Sequence, residues 1–320
     1  MSELSDLPVL ILAYNRFDKF HKCFNTLKDQ GIKKIFISID GPSNNYDIIS
    51  QKKILNYCKY NVDDLDIKIK HFAFNNGCRL GPIKGISWFF DLNKYGVILE
   101  DDVIISQNCI ESFNFLLKNK INSKEYMSIS SFNEFTNNKK ESLYSLPVWR
   151  SWGWASWSDR WINHVAFLKE IKSFSLWQLY QLMPIEFRSI EIVKLVKYSQ
   201  LNLLDAWDYE FNFSHIVNKK SSLTLGGINT YSYGFDNAAT HTFDINSFGI
   251  DFDLFGEREI NLAIVSNIKK SYCEGTLKKC GFQISVNNSF LKKFIIYSNL
   301  ILYPLFLHMQ KIKRIMFKRL

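Results

Sequence analysis

Residues 95–103 read YGVILEDDV, from Tyr95 to Val103. An unbroken apolar run, Val97-Ile98-Leu99, that stops at Glu100-Asp101-Asp102 is the pattern of a strand buried on both faces and ending at a polar crevice. Three adjacent carboxylates repel one another unless a cation or hydrogen-bond donors compensate. A hard divalent ion, Mg2+ or Mn2+, is the simplest compensation, since such ions take one or two carboxylates together with substrate phosphates and water.

Upstream of this stretch the chain alternates. Pro8 to Ala13 is an apolar strand, and Phe17 to Gln30 has helical spacing through Phe20, Phe24 and Leu27. Lys34 to Asp40 is a strand closed by Gly41-Pro42, and Ile49 to Tyr60 is a helix. Ile67 to Phe74 is a strand, and Gly81 to Leu92 is a helix entered through a loop at 75–84. Strands and helices in this alternation predict an α/β fold, a mostly parallel central sheet with helices on both faces. Ligands in such sheets sit at the carboxyl ends of the strands. Tyr14, Asn15, Arg16, Asp40 and the Glu100-Asp101-Asp102 trio all fall there and are expected to converge.

After Cys109 the pattern turns to a helix, mixed loops, the tryptophan-dense SWGWASWSDRW (151–161), and a helical stretch over roughly 165–200. The segment LDAWDYEF (204–211) supplies Asp205, Asp208 and Glu210, and a Gly-, Asn- and Tyr-rich loop precedes His241.

The succession PVLILAYNR, ISIDGP, NNGCRLGPIKGISWFF, VILEDDV, SWGWASW, WDYEF and GFDNAATHT resembles GT-A glycosyltransferases, the N-acetylglucosaminyltransferase I type and its bacterial relatives above all. The resemblance spans about residues 7–245. It implies Asp102 as the ligand of a metal that carries a nucleotide-sugar diphosphate. Asp101 would then lie near the ribose or the metal's waters, with Glu100 in support. It also implies Asp40 as the acceptor of a uracil N–H, Arg16 and Arg79 as basic groups around the nucleotide, and a catalytic carboxylate that overlays best on Asp208. Glu210 and Asp205 stay open beside it. Read from the residues, Asp40 serves equally as the turn former before Gly41-Pro42. Lys84 and Arg79 could approach phosphate, and an arginine pairs with a diphosphate in two-pronged fashion. His241 could join Asp102 on the metal or donate to a phosphate. The remaining histidines, at 21, 71, 164, 215 and 308, are expected to be structural. Trp152, Trp154 and Trp157 could stack on sugar rings, although at least two of the four tryptophans in 151–161 are expected in the core.

Composition narrows the partners. The chain has 320 residues, 40 Lys and Arg against 31 Asp and Glu, a net charge of +9. After Glu274 there are nine basic residues and no acidic one, so the first 274 residues balance at 31 against 31. The globular part is therefore neutral and nucleic acid is not an expected partner. The six cysteines form no CxxC pair and are expected to be reduced. The opening MSELSDLPVLILAYNR has acidic residues where a secretory leader has basic ones, which predicts a buried strand and a cytoplasmic protein.

The resulting division is a transferase domain over 1–250, with a nucleotide half to about 108 and an acceptor half beyond, a connecting segment 251–290, and a basic apolar helical tail 291–320. FIIYSNLILYPLFLHMQ (294–310) is flanked by lysines and suits an amphipathic helix lying on an anionic membrane surface. Spanning the bilayer and packing on the protein itself are the alternatives. The expected activity is metal-dependent inverting transfer from a nucleotide-sugar donor, a UDP-sugar, to a glycan or glycolipid acceptor such as lipopolysaccharide or capsule. Two rivals are an inactive membrane-attached glycan-binding or scaffold protein, and a sugar nucleotidyltransferase. The latter lacks its glycine-rich loop, since AYNRF occupies that place.

Overall fold

The computed structural model describes residues 4–60, 64–132, 143–226 and 229–232, with a two-residue strand at 269–270. A mixed sheet of nine strands, counted among the described residues, forms the centre. Strand β1 (Val9–Ala13) lies between β2 (Lys34–Ile39) and β4 (Tyr95–Glu100), parallel to both, and β3 (Asp66–His71) extends the parallel set as an edge. On the far side of β4 come β8 (Trp154–Trp157) and then β6 (Tyr126–Ser130), both pairings antiparallel. Strands β9 (Ser221–Leu225), β7 (Leu143–Leu146) and β11 (Lys269–Lys270) complete the sheet. A separate ribbon pairs β5 (Val103–Ile105) with β10 (Thr230–Ser232).

Eight α-helices flank the sheet among the described residues: α1 (Phe17–Asp29), α2 (Asn45–Tyr60), α3 (Gly77–Leu92), α4 (Gln107–Asn119), α5 (Ser158–Ile171), α6 (Leu176–Leu182), α7 (Ile190–Gln200) and α8 (Asp208–Val217). Alternate strand residues feed two cores, as the two-residue period of a strand requires. Val9, Ile11, Ile35, Ile37, Val97 and Leu99 join Phe20, Phe24 and Phe113 on one face. Leu10, Phe36 and Ile98 join Phe89, Trp161 and Phe211 on the other. Strand β3 is the exception: Lys68 and Lys70 leave it largely exposed, which is how an edge avoids unwanted pairing.

Four expectations need correction. The fourth strand ends at Glu100, not Val103, because Asp101-Asp102 turn the chain out of the sheet before β5 begins. Helix α3 starts at Gly77, four residues before the expected Gly81, and holds Pro82 inside it. Carboxylates from elsewhere in the chain cap its first turn. The tryptophan-rich segment holds a strand, β8, with Trp154 buried on one face of the sheet and Trp157 on the other. The expected helical stretch 165–200 divides among α5, α6 and α7, broken at Ser175, which starts α6 with a reciprocal cap to Gln178, and at Pro184. The segments 251–268 and 271–320, including the basic tail, and the loop bearing His241 lie outside the described residues. No helix of the described residues is long and apolar enough to cross a membrane.

Candidate active site

Register places the chemistry. Leu12 sits opposite Glu100 and Ala13 opposite Ile39, so the chain after β1, β2 and β4 leaves the sheet at one edge. Main-chain bonds carry the pairing past the strand ends: Asp40 donates its N–H to the Ala13 carbonyl at 3.1 Å and Asp101 to the Leu12 carbonyl at 2.9 Å. Arg16, at the cap of α1, thereby lies over the acidic turn. Its guanidinium donates to Asp101 and pairs with Asp102 Oδ2 at 2.7 Å. Asp101 is 1% exposed and Asp102 6% exposed, so these are pairs shielded from solvent.

One guanidinium does not balance three carboxylates. Burial, followed by repulsion from Asp102, Asp208 and Asp101, pushes Glu100 up to about 8 against the pull of Arg16. Burial raises Asp101 to about 6, with Arg16 opposing and Asp102 adding to the rise. Burial works against the charge on Arg16, but Asp101 and Asp102 outweigh it and hold the guanidinium protonated. Asp208, in the first turn of α8, lies near enough to the end of β4 for its charge to add to the rise at Glu100.

Tyr14 and Asn15 are brought to the same edge but are turned toward Asp47. The Tyr14 hydroxyl donates to Asp47 Oδ2 at 2.6 Å, Asn15 Nδ2 to Oδ1 at 2.7 Å, and the Ser43 N–H to Oδ2 at 2.9 Å. Asp47 is 1% exposed, and these donors lower its pKa despite its burial. Sequence reasoning missed Asp47. The signal was Asn44, whose side chain accepts from the Asp47 N–H at 3.0 Å and marks the start of α2.

Asp40 is engaged by the entry to α3. It accepts from the Asn76 and Gly77 N–H groups at 3.0 Å and from Asn76 Nδ2 at 2.7 Å. Asp40 thus already has three protein donors, and a Cβ on the following Gly41 would come within 2.2 Å of the Phe74 carbonyl carbon, so the chain passes close against that segment. Lys84 reaches Asn76 Oδ1 from the second turn of α3.

The three carboxylates of LDAWDYEF separate. Asp205 accepts from the Cys78 and Arg79 N–H groups at 2.9 and 2.7 Å. Glu210, fully buried, receives the Arg79 guanidinium through Nε at 3.0 Å and Nη2 at 2.9 Å. Burial raises the Glu210 pKa, and Arg79 counters that rise. Arg79 is thus committed to Glu210, where the nucleotide was expected. Asp208 is half-buried in the first turn of α8, and its charge adds to the rise at Glu100.

The tryptophans are corrected in part. Trp154 and Trp157 are 1% and 0% exposed and have no face for a sugar. Trp154 packs with Trp149, Trp161, Trp207 and Phe211 at 4.9–6.2 Å between ring centroids, and Trp157 donates its indole N–H to the Leu117 carbonyl at 2.9 Å. Trp152 is half-buried, edge-on to Phe132 at 4.7 Å. His164 and His215 are buried as expected of structural residues. His164 Nδ1 lies 2.7 Å from Ser214 Oγ, and His215 Nδ1 donates to the Phe211 carbonyl at 2.8 Å. Cys23, Cys58, Cys78 and Cys109 are free thiols.

No protein-family description matches the chain, and no curated protein does. Among solved structures, HddC from Yersinia pseudotuberculosis, crystallised with GMP-PN, is similar over 48% of this chain and 77% of its own, with 11% identity and a TM-score of 0.29. The same protein in a second crystal structure gives 12% identity and the same TM-score of 0.29. The glycosyltransferase GlyE from Streptococcus pneumoniae TIGR4 is similar over 69% of this chain and 46% of its own, with 8% identity and a TM-score of 0.36. Likeness this slight assigns no activity, and the site itself carries the functional reading.

Proposed function

We propose that the protein is a metal-dependent, inverting glycosyltransferase that uses a nucleotide-sugar donor, a UDP-sugar, and a glycan or glycolipid acceptor of a bacterial surface polysaccharide. The observation that carries this reading is the gathering of acidic groups at the carboxyl ends of the parallel strands, with a single arginine paired to two of them. The trio Glu100-Asp101-Asp102 lies at the end of β4, and the charge of Asp208, in the first turn of α8, reaches Glu100. The residues fit a hard cation. Their donors are carboxylate oxygens, and burial, with repulsion from Asp102 added, raises Glu100 and Asp101 even with Arg16 in place. Among the described residues no three histidine, cysteine, aspartate or glutamate side chains form a metal cage. An ion here would be shared between one or two carboxylates and substrate phosphates. Asp102 would hold it, and when bound it would supply charge stabilisation to the diphosphate oxygens.

In the transfer, the acceptor hydroxyl oxygen forms its bond to the anomeric carbon on the face opposite the diphosphate. The bond from that carbon to the diphosphate oxygen breaks, and its electron pair leaves with the nucleotide. Asp208 takes the hydroxyl proton. Arg16 keeps Asp101 and Asp102 in place. Trp152, the accessible member of the expected sugar platform, would border the acceptor. The basic apolar segment 294–310 would bring the crevice to an anionic cytoplasmic leaflet where a lipid-linked acceptor lies.

The test is release of UDP from UDP-glucose and UDP-N-acetylglucosamine by the full chain with Mn2+, transfer to water standing in for transfer to the acceptor. Asp208→Asn should lower the rate by about 10²–10⁴ while UDP still binds, the range for loss of a general base. Unchanged turnover in Asp208→Asn removes the assigned base, and no release by the wild type from either donor removes the reading.

A further inference from the structure

The first turns of α3 and α8 hold each other through reciprocal charged contacts. Asp205, three residues before α8, accepts the Cys78 and Arg79 N–H groups at 2.9 and 2.7 Å. Arg79 returns a two-pronged contact to Glu210 at 3.0 and 2.9 Å. The approach is close: Gly77 has φ +79°, and a Cβ there would come within 2.7 Å of Asp205 Oδ2. Between these two anchors the chain runs through Trp207, 5% exposed, locked 5.2 Å from Trp149. Asp208 follows directly. Its backbone is held from both sides, and the Glu210 N–H donates to the Trp207 carbonyl at 3.2 Å.

Stability alone does not explain a buried Arg79–Glu210 pair. Such pairs are often replaced by apolar side chains of similar size with no loss of stability, because desolvation cancels much of the attraction. What the pair does supply is direction. A planar guanidinium gripping both oxygens of a carboxylate fixes distance and angle together.

We infer that Asp205, Arg79 and Glu210 are positioning residues that fix the first turn of α8, and with it Asp208, against the start of α3, and that Arg79 does not bind the donor. The inference rests on the proposed role of Asp208. A misplacement of about 1 Å at such a site can lower a rate by about a hundredfold, so the clamp and the aromatic packing behind Trp207 share one task.

The experiment compares Arg79→Met, Glu210→Leu and the double variant with the wild-type full chain. Each single variant strands a buried partner and should melt earlier. The double variant should melt within about 3 °C of wild type, as an apolar exchange of a buried pair allows. Its kcat for UDP release from UDP-N-acetylglucosamine should fall about a hundredfold with donor KM within about twofold. A folded double variant with wild-type kcat overturns the inference. So does one whose donor KM rises tenfold or more at unchanged kcat, the mark of a donor-binding arginine. Amide hydrogen exchange across 207–211 is the second readout. The inference requires faster exchange in the double variant, and unchanged exchange overturns it. Should the wild type release no UDP, the transferase reading fails by itself, while exchange still decides whether the clamp exists.

Discussion

Replacing Arg16 with methionine tests the electrostatics of the crevice. Methionine keeps the unbranched stem but removes the guanidinium from Asp101, 1% exposed, and Asp102, 6% exposed. Removing one member of a buried pair leaves the other charge unpaired, at about 3–5 kcal/mol. Here the stranded carboxylates can relieve part of the strain by taking a proton, since Asp101 is already raised to about 6. The lower end, about 3 kcal/mol, is therefore the expected loss near neutral pH. At about 2–4 °C per kcal/mol for a domain of this size, the melting temperature should drop by about 6–12 °C. Differential scanning calorimetry measures it, with Lys53→Met, on the exposed face of α2, as a control expected within about 0.5 kcal/mol of wild type. Adding Asp101→Asn to Arg16→Met should restore part of the loss, a coupling on the order of 1–3 kcal/mol. A melting point within 2 °C of wild type for Arg16→Met would refute the reasoning, since the carboxylates would then be balanced without it.

Two further outcomes follow from buried polar groups. Asp47→Ala removes the acceptor of Tyr14 and Asn15, in the loop after β1, and of the Ser43 N–H, in the loop after β2, and should lower stability by about 3 kcal/mol in urea titration; a loss under about 0.5 kcal/mol would show that these loops stand by themselves. His164 and His215, lowered by burial to about 3 and about 4, bind fewer protons folded than unfolded. Their contribution is complete above the unfolded value near 6.5 and is lost as pH falls toward the folded values, about 2–3 kcal/mol for each by pH 4.5. In NMR titration of the folded protein their ring signals should stay fixed from pH 8 to 5, and a midpoint near 6.5 for either would contradict their burial as neutral rings.

The parallel half of the fold is legible because its strands are apolar runs: VLILA, KIFISI and YGVILE need no distant partner to declare themselves. Strand β8 is not legible, since WASW is short and its tryptophans read as readily as a sugar platform. Only the antiparallel places beside β4 and β6 show that one ring belongs to each core. The early start of α3 is hidden for a related reason. The N–H groups of its cap residue Asn76 and of Gly77, Cys78 and Arg79 are taken up by Asp40 and Asp205, 36 or more residues away, and Pro82 argues locally for a later start. In the site, position at a strand end was sufficient to bring Arg16, Asp40 and the acidic trio together. It could not tell that Arg79, Tyr14 and Asn15 are committed to protein carboxylates, nor that Asp205 and Glu210 are taken up by the start of α3, because those assignments depend on pairings across more than 30 residues.

The central claim is that the acidic turn after β4 carries a nucleotide diphosphate through a divalent ion. Isothermal titration of the full chain with UDP, with and without Mn2+, in wild type and in Asp102→Asn, tests it most directly. The account predicts binding by the wild type that requires Mn2+ and is lost in Asp102→Asn. Equal UDP affinity with and without the metal, or in both proteins, would contradict it.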